Sequence, residues 1–210
     1  MQDFLVFDLE TQRSAQDVGG WDKIPEMKMS VGVLYDSRDK KFHCYTEDKV
    51  EALIQHLCCG SLVIGYNHLK FDYPVLSGYR TFDQRAGLIQ RLEGVPNLDL
   101  LLDLRARIGK RVKLDAVARA TLEIGKSADG LQALVWYKEY LDGDTAKLGM
   151  ITDYCKQDVA VTRDVYLYGI EHNEVKYLDK EKGIQVVAVN WEQPEEEPKP
   201  PDSSEQLSLF

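Results

Sequence analysis

This chain is expected to fold as a mixed α/β domain, on three observations. Short apolar runs suited to strands crowd its N-terminal half, with one helical stretch inserted among them. Longer stretches with apolar residues at helical spacing fill the later half. Strands with an inserted helix, then a run of helices, give one α/β unit.

The opening FLVF (4–7) is apolar without alternation, as a strand buried on both faces would be. KMSVGVLYD (28–36) and FHCYT (42–46) are the next strands, and SRDKK between them reads as a hairpin connection. Residues 48–58, DKVEALIQHLC, place Val50, Leu53, Ile54 and Leu57 on one helical face. SLVIGYN (61–67) is a strand, and NLDLLLDL (97–104) is another or a strand entering a helix. Helices are expected over about 114–122, 130–141 and 146–170, the last with Ile151, Cys155, Val159, Thr162 and Tyr166 along one stripe. KYLD and IQVVAVNW, joined by KEKG, form a closing hairpin, and no internal repeat is visible.

Composition, 44% hydrophobic and 29% charged, is that of a soluble globular chain. No apolar run reaches the roughly 18 residues of a membrane span, so a membrane partner is excluded. MQDFLVFDLET carries acids where a secretory signal would not, and Cys44, Cys58, Cys59 and Cys155 form no CxxC. They read as reduced thiols of a cytoplasmic protein, the adjacent pair as helix packing. The net charge of −9 argues against tight nonspecific duplex binding, but from Glu192 onward six acids against one lysine account for −5 of it, leaving −4 on the body.

Three groups of polar residues interrupt this pattern. Asp8 and Glu10 directly follow the FLVF run, and at i and i+2 on a strand they share a face, where two carboxylates repel and lose hydration. The alternative is a strand that ends at Phe7 with both acids in a solvated turn. In GYNHLKFDYP, Asn67 and Asp72 follow a strand, and Asp72 also suits the N-cap of a short helix started by Pro74. His68 there reads as polar surface. In YCKQD, Tyr154 and Asp158 lie one turn apart on a helix.

FDLET, NHLKFD and YCKQD, in that order, resemble the three exonuclease motifs of the DEDD superfamily. RVKLDAVARATL (111–122) is similar to the exonuclease domains of family B polymerases, so the resemblance spans roughly residues 3–170. Tyr154, with Asp153 where the other branch has His, places the chain in the tyrosine branch. The resemblance implies a ribonuclease H-like fold and 3′–5′ hydrolysis of phosphodiesters. Two divalent ions, Mg²⁺ or Mn²⁺, would be held by Asp8, Glu10, Asp72 and Asp158, with Asp8 bridging and Tyr154 orienting the attacking water. The segment after Thr11, QRSAQDVGGWDKIPE, is longer than proofreading domains usually carry.

Candidate substrate contacts are Thr11, Asn67 and Phe71 from the motifs, with Arg111 and Lys113 from a basic run that includes Arg105, Arg107 and Lys110. For any single member of that run a solvated loop is the favoured reading over a grip on the phosphate backbone. Trp21 suits stacking on an unpaired base or packing at a buried edge. GKS (125–127) is no phosphate loop, because Ala120 stands where the earlier glycine is required.

The C-terminus ends in QLSLF, which resembles the pentapeptide by which bacterial proteins bind the replicative sliding clamp. By that resemblance Gln206 meets the pocket rim while Leu207, Leu209 and Phe210 fill an apolar cleft. The alternatives are a frayed end or a tip folded back on its own domain. The expected organisation is an exonuclease domain (1–191), a disordered acidic, proline-rich linker (192–205) and the clamp-binding peptide (206–210). The expected function is metal-dependent 3′–5′ hydrolysis of single-stranded or frayed DNA 3′ ends, in DNA repair or end trimming, close to the nucleoid through the clamp. A ribonuclease D-like exoribonuclease and a non-catalytic, clamp-tethered adaptor are the alternatives.

Overall fold

The structure, a computed structural model, describes residues 2–124 and 131–192. The GKS triplet, most of the linker and the C-terminal pentapeptide lie outside the described residues. In chain order the elements are β1 (Leu5–Thr11), α1 (Ala15–Val18), a 3₁₀ segment (Trp21–Glu26), β2 (Met29–Asp36), β3 (Lys41–Thr46), a 3₁₀ turn (Glu47–Lys49) and α2 (Val50–Cys58). Then come β4 (Val63–Gly65), α3 (Asp72–Ser77), α4 (Phe82–Glu93), β5 (Asn97–Asp99), α5 (Leu100–Ile108) and α6 (Leu114–Thr121). The described chain closes with α7 (Leu131–Leu141), α8 (Ala146–His172), β6 (Glu174–Asp179) and β7 (Gly183–Ala188).

Five strands form one mixed sheet in the order β3-β2-β1-β4-β5, and β6 and β7 form a separate hairpin. β1 is central, antiparallel to β2 and parallel to β4. Because side chains alternate along a strand, the FLVF run feeds two cores. Phe4 and Val6 join Val31, Val33 and Ile64 on the face covered by α5, α6 and α8. Leu5, Phe7 and Leu9 join Leu34 and Val63 on the face covered by α2, α3 and α4. The expected stripe of α8 is the buried one, with Ile151, Cys155, Val159, Thr162 and Tyr166 all inside. Trp191 fixes the end of the described chain: its ring stacks on Tyr166 at 6.3 Å and its Nε1 donates to Asp103 at 2.9 Å.

Several expectations need correction. α4 was not anticipated; its residues are mostly polar and only Leu88 and Leu92 are buried, too thin a stripe to stand out. Cys58 ends α2 half-buried, but Cys59 lies past the helix and is exposed, so the pair is not jointly helix packing. The four cysteines are free thiols, and no helix among the described residues is long and apolar enough to cross a membrane.

The long segment after Thr11 is built rather than loose. Ser14 and Asp17 cap α1 reciprocally, Ser14 N donating to Asp17 Oδ2 at 2.8 Å and Asp17 N to Ser14 Oγ at 3.2 Å. The 3₁₀ segment then packs against α3. Lys28 Nζ donates to the Gly78 carbonyl, and Met29 N to the Tyr79 hydroxyl at 3.0 Å. Contact with α3 is so close that a Cβ on Gly78 would stand 1.8 Å from the Pro25 carbonyl oxygen. Gly78→Ala should therefore push residues 21–26 off α3 and destabilise the chain by about 1–3 kcal/mol, the usual cost of overpacking. Chemical denaturation measures it, and a midpoint equal to the parent's would contradict this packing.

Candidate active site

β1 pairs with β4 only through Leu5 and Val6, so beyond Val6 its edge on that side is open. Asp8 and Glu10 continue the face of Val6, opposite Val33 and Val31 of β2, and point toward α8. The strand runs on to Thr11 and does not end at Phe7. α8 brings Tyr154, Cys155 and Asp158 over this end. Carboxylate oxygens of Asp8, Glu10 and Asp158 lie within 4.8 Å of one another. The Cys155 Sγ is 3.4 Å from the Asp8 carbonyl and 3.6 Å from its Oδ2.

Asp72 arrives from the other side. It is the first residue of α3, with Phe71 in the cap position, so the N-cap reading is incorrect. Its buried carboxylate turns back to β1, where Oδ1 accepts from Leu9 N at 3.2 Å, a donor left free where β4 stops.

Among the described residues no lysine or arginine pairs with any of these four acids. Burial, then the charges of Asp72, Glu10 and Asp158, push the Asp8 carboxyl well above the usual range. Burial, then Asp158 and Asp72, do the same to Glu10. Asp72 is pushed up to about 8 by burial and then by Asp99. Asp158 is pushed up to about 6 by burial, with the Tyr154 hydroxyl's hydrogen bond pulling the other way. Asp36, which approaches Asp39 and His43 on the β2–β3 hairpin, makes the contrast. Arg38 grips it through Nε and Nη2 at 2.6–3.0 Å, holding its carboxyl far below the usual range. The Asp8 group has hard oxygen donors, crowding and no compensating cation, which fits a divalent metal. Tyr154 is buried beside Trp136, and burial with the Asp158 charge raises its hydroxyl, keeping it protonated.

The loop between β4 and α3 hangs on Asp99, which sequence reading did not single out. Asp99 Oδ1 accepts from Asn67 N (2.9 Å), Leu101 N (3.1 Å) and Leu102 N (3.2 Å), and Oδ2 from Leu69 N (3.1 Å). One buried carboxylate thus caps α5 and pins the loop that delivers Asp72. A strand-to-helix Asp is a readable cap signal; its long-range bonds are not. His68 is also misread as surface. It is fully buried, its Nε2 is 3.0 Å from Asn97 Oδ1, and its ring meets Tyr73 edge-on at 5.1 Å. Gly65 makes room for it, since a Cβ there would be 2.7 Å from Nδ1.

The other candidates separate into two groups. Asn67, in the left-handed region at φ +76°, lines a groove of about 350 Å³ together with Phe71 and Arg111. Thr11 instead is buried past an irregularity in the β1–β2 register, and Lys113 is exposed at the start of α6. Arg105 joins the groove, whereas Arg107 pairs with Asp103 and Lys110 with Asp179.

A sequence profile of the RNase H superfamily matches residues 5–168. The chain belongs to the RNase H superfamily. No curated protein matches it in sequence. Among solved structures it is similar to the family B DNA polymerase from the hyperthermophilic archaeon Pyrobaculum calidifontis, with a TM-score of 0.53 and 19% identity over 81% of this chain. The chain spans only 24% of that polymerase, and the likeness is one of fold. The expected ribonuclease H-like fold is thereby borne out, with its acidic cluster at the open end of the central strand.

Crowding of this kind makes an RNase H superfamily chain sensitive to pH when no metal is present. Asp8, Glu10 and Asp72 titrate higher in the fold than in the unfolded chain, so the fold retains protons the unfolded chain has released. Each retained proton lowers stability by about 1.4 kcal/mol per pH unit of rise. His68, lowered by burial, acts oppositely, but only below its ordinary 6.5. In chelator the thermal midpoint should fall between pH 6.5 and 8, and Mg²⁺ or Mn²⁺ should raise it most at the upper end. A midpoint that is flat or rising in chelator would count against the crowding.

Proposed function

We propose that this chain is a metal-dependent 3′–5′ exonuclease acting on DNA, of the tyrosine branch of the DEDD superfamily, recruited to a bacterial sliding clamp for repair or end trimming. The observation that carries it is the convergence of Asp8, Glu10, Asp158, Asp72 and Tyr154, from three distant parts of the sequence, on one end of β1. Superfamily membership and the fold shared with a DNA polymerase support the same reading.

Divalent ions bound to these carboxylates would polarise the scissile phosphate and acidify a water. The chain's own residues do the remaining work. Asp8 sits where the charges of the other three acids all reach it, which suits a ligand shared between ions. Asp72 is fixed to the β1 backbone and to a loop clamped by Asp99, so its carboxylate is held in place before ligand arrives. Tyr154 stays protonated and hydrogen-bonds Asp158, leaving its hydroxyl able to align a water beside the cluster.

Asp8→Ala should abolish shortening of 5′-labelled single-stranded DNA in Mg²⁺ or Mn²⁺, with the fold intact by circular dichroism. The wild-type ladder should shrink from the 3′ end and vanish in chelator. Activity near wild type in the variant would remove the site assignment. A ladder on the matched RNA strand alone would turn the reading toward RNA processing.

The tail supports recruitment in its own way. QLSLF ends a stretch that holds most of the chain's net negative charge, so attachment to a partner on DNA raises local concentration without requiring a basic body. Deleting residues 206–210 should abolish binding to a bacterial sliding clamp in surface plasmon resonance while sparing hydrolysis of free oligonucleotides. Unchanged clamp affinity would end this part of the proposal.

A further inference from the structure

The β2–β3 hairpin and α2 gather a second group of metal-ligating side chains, on the other face of the sheet from the acidic cluster and at its other end. Asp36 follows Leu34 at i+2, so it shares the face covered by α2, whereas Asp8 and Glu10 point toward α8. Asp36 pairs with Leu5 at the start of β1, while Asp8 and Glu10 stand opposite Val33 and Val31. Ligand atoms of Asp36, Asp39 and His43 lie within 4.8 Å of one another. His43 Nε2 is 3.0 Å from Asp39 Oδ2. His56, near the end of α2, brings its Nε2 to 3.0 Å from Asp36 Oδ2, and its ring meets that of His43 edge-on at 5.0 Å. His43 and Tyr45 alternate onto one face of β3. The Tyr45 hydroxyl is 2.7 Å from His56 Nδ1, which holds the imidazole with Nε2 toward the carboxylate.

We propose that Asp36, Asp39, His43 and His56 form a binding site for one transition-metal ion of borderline softness, of which Zn²⁺ is the type. Two imidazoles and two carboxylates are a donor set such an ion takes, whereas Mg²⁺ prefers oxygen alone. Bonds of about 2.0–2.1 Å in a tetrahedron set neighbouring ligand atoms about 3.3 Å apart. The His56–Asp36 and His43–Asp39 separations are close to that size. The remaining closure falls to Asp39, exposed on the turn between the strands and free to move inward. Tyr45 is the outer partner that orients His56, an arrangement usual for ligating imidazoles. Arg38 grips Asp36 when no ion is bound, but its side chain is 43% exposed and withdraws into solvent without disturbing the core. One guanidinium offsets one of the two carboxylates; a divalent ion offsets both. The bound ion ties the turn at 37–40 to α2 and stabilises the edge of the sheet.

The test uses the full chain carrying Asp8→Asn and Asp158→Asn, which blunts the acidic cluster, and follows Co²⁺ by the visible d–d band of four-coordinate, nitrogen-ligated cobalt. The band should saturate at a single Co²⁺ per chain, be displaced by Zn²⁺ and survive excess Mg²⁺. His43→Gln and His56→Gln should each weaken Co²⁺ binding by at least about tenfold, and Tyr45→Phe by about tenfold, as loss of an outer partner does. Arg38→Ala should tighten binding by up to about fivefold, the worth of one partly exposed ion pair. Zn²⁺ should raise the thermal midpoint of the parent but not that of His43→Gln. His43 lies half-buried on an edge strand, so its variant should keep the fold, which circular dichroism checks. Absence of a saturable four-coordinate band, or Co²⁺ binding in folded His43→Gln as tight as in the parent, overturns the site. Weaker binding in Arg38→Ala overturns the exchange of Arg38 for the ion. DNA hydrolysis plays no part in the readout, so the site stands or falls apart from the exonuclease reading.

Discussion

Repulsion among Asp8, Glu10, Asp72 and Asp158 is the constraint around which this fold is arranged. Carboxylates do not gather in a protein interior by default, because each loses hydration and each raises the others. Here they are forced together by elements whose positions are decided elsewhere. β1, with Phe4 just before it, carries Phe4 and Val6 into one core and Leu5, Phe7 and Leu9 into the other, so the strand cannot slip by one residue without inverting both cores. That locked register is what holds Asp8 and Glu10 against α8. The stripe from Ile151 to Tyr166 likewise fixes the rotation of α8, and with it Tyr154 and Asp158. Burial of apolar surface supplies the stability that the acids then draw down, and a bound divalent ion would return it.

Asp72 is positioned by a different device. The carboxylate needs a firm base because it comes from a loop and a short helix rather than from the sheet. Asp99 provides one by gathering four backbone donors, two from the loop and two from the start of α5. Behind it, Asn97 Oδ1 accepts from the Tyr73 hydroxyl at 2.7 Å and lies 3.0 Å from His68 Nε2, tying β5 to the same loop. The loop is thus sewn to the sheet by polar bonds on one side, and Phe71 on the other side is left half-buried and turned to the groove.

Features carried by local period were legible in the sequence. The strands at 28–36 and 42–46, the helix that ends at Cys58, the long α8 and the closing hairpin all follow from spacing over a few residues. The shared face of Asp8 and Glu10 followed from the same rule. Features that depend on distant partners were not legible. His68 is buried by Asn97 and Tyr73, and Asn97 is 29 residues away. Asp72 resembles a cap in its own sequence, but its partner is Leu9, 63 residues earlier. Nothing in the composition of QRSAQDVGGWDKIPE tells that it will lie against α3, because that contact is granted by the lack of a side chain at Gly78. Local rules name the elements; tertiary contact decides which polar groups go inside.

That asymmetry also explains why the cations beside the groove looked uninformative as a run. Arg105, Arg107, Lys110, Arg111 and Lys113 are alike in sequence, but the fold sorts them. Arg107 is spent on Asp103 within α5, and Lys110 on Asp179 of the β6–β7 hairpin. Arg105 and Arg111 remain to face the groove. Two such cations would give a bound single strand only a weak, salt-sensitive hold, since each phosphate contact adds little to affinity at physiological ionic strength. A body with net charge of −4 adds no general attraction to DNA. On the proposed reading, weak grip is an advantage for an enzyme that must release the strand and re-engage it after each nucleotide. On the same reading, affinity for the DNA as a whole would come from outside the domain, and a tethered partner would contribute it through effective concentration rather than through more basic surface.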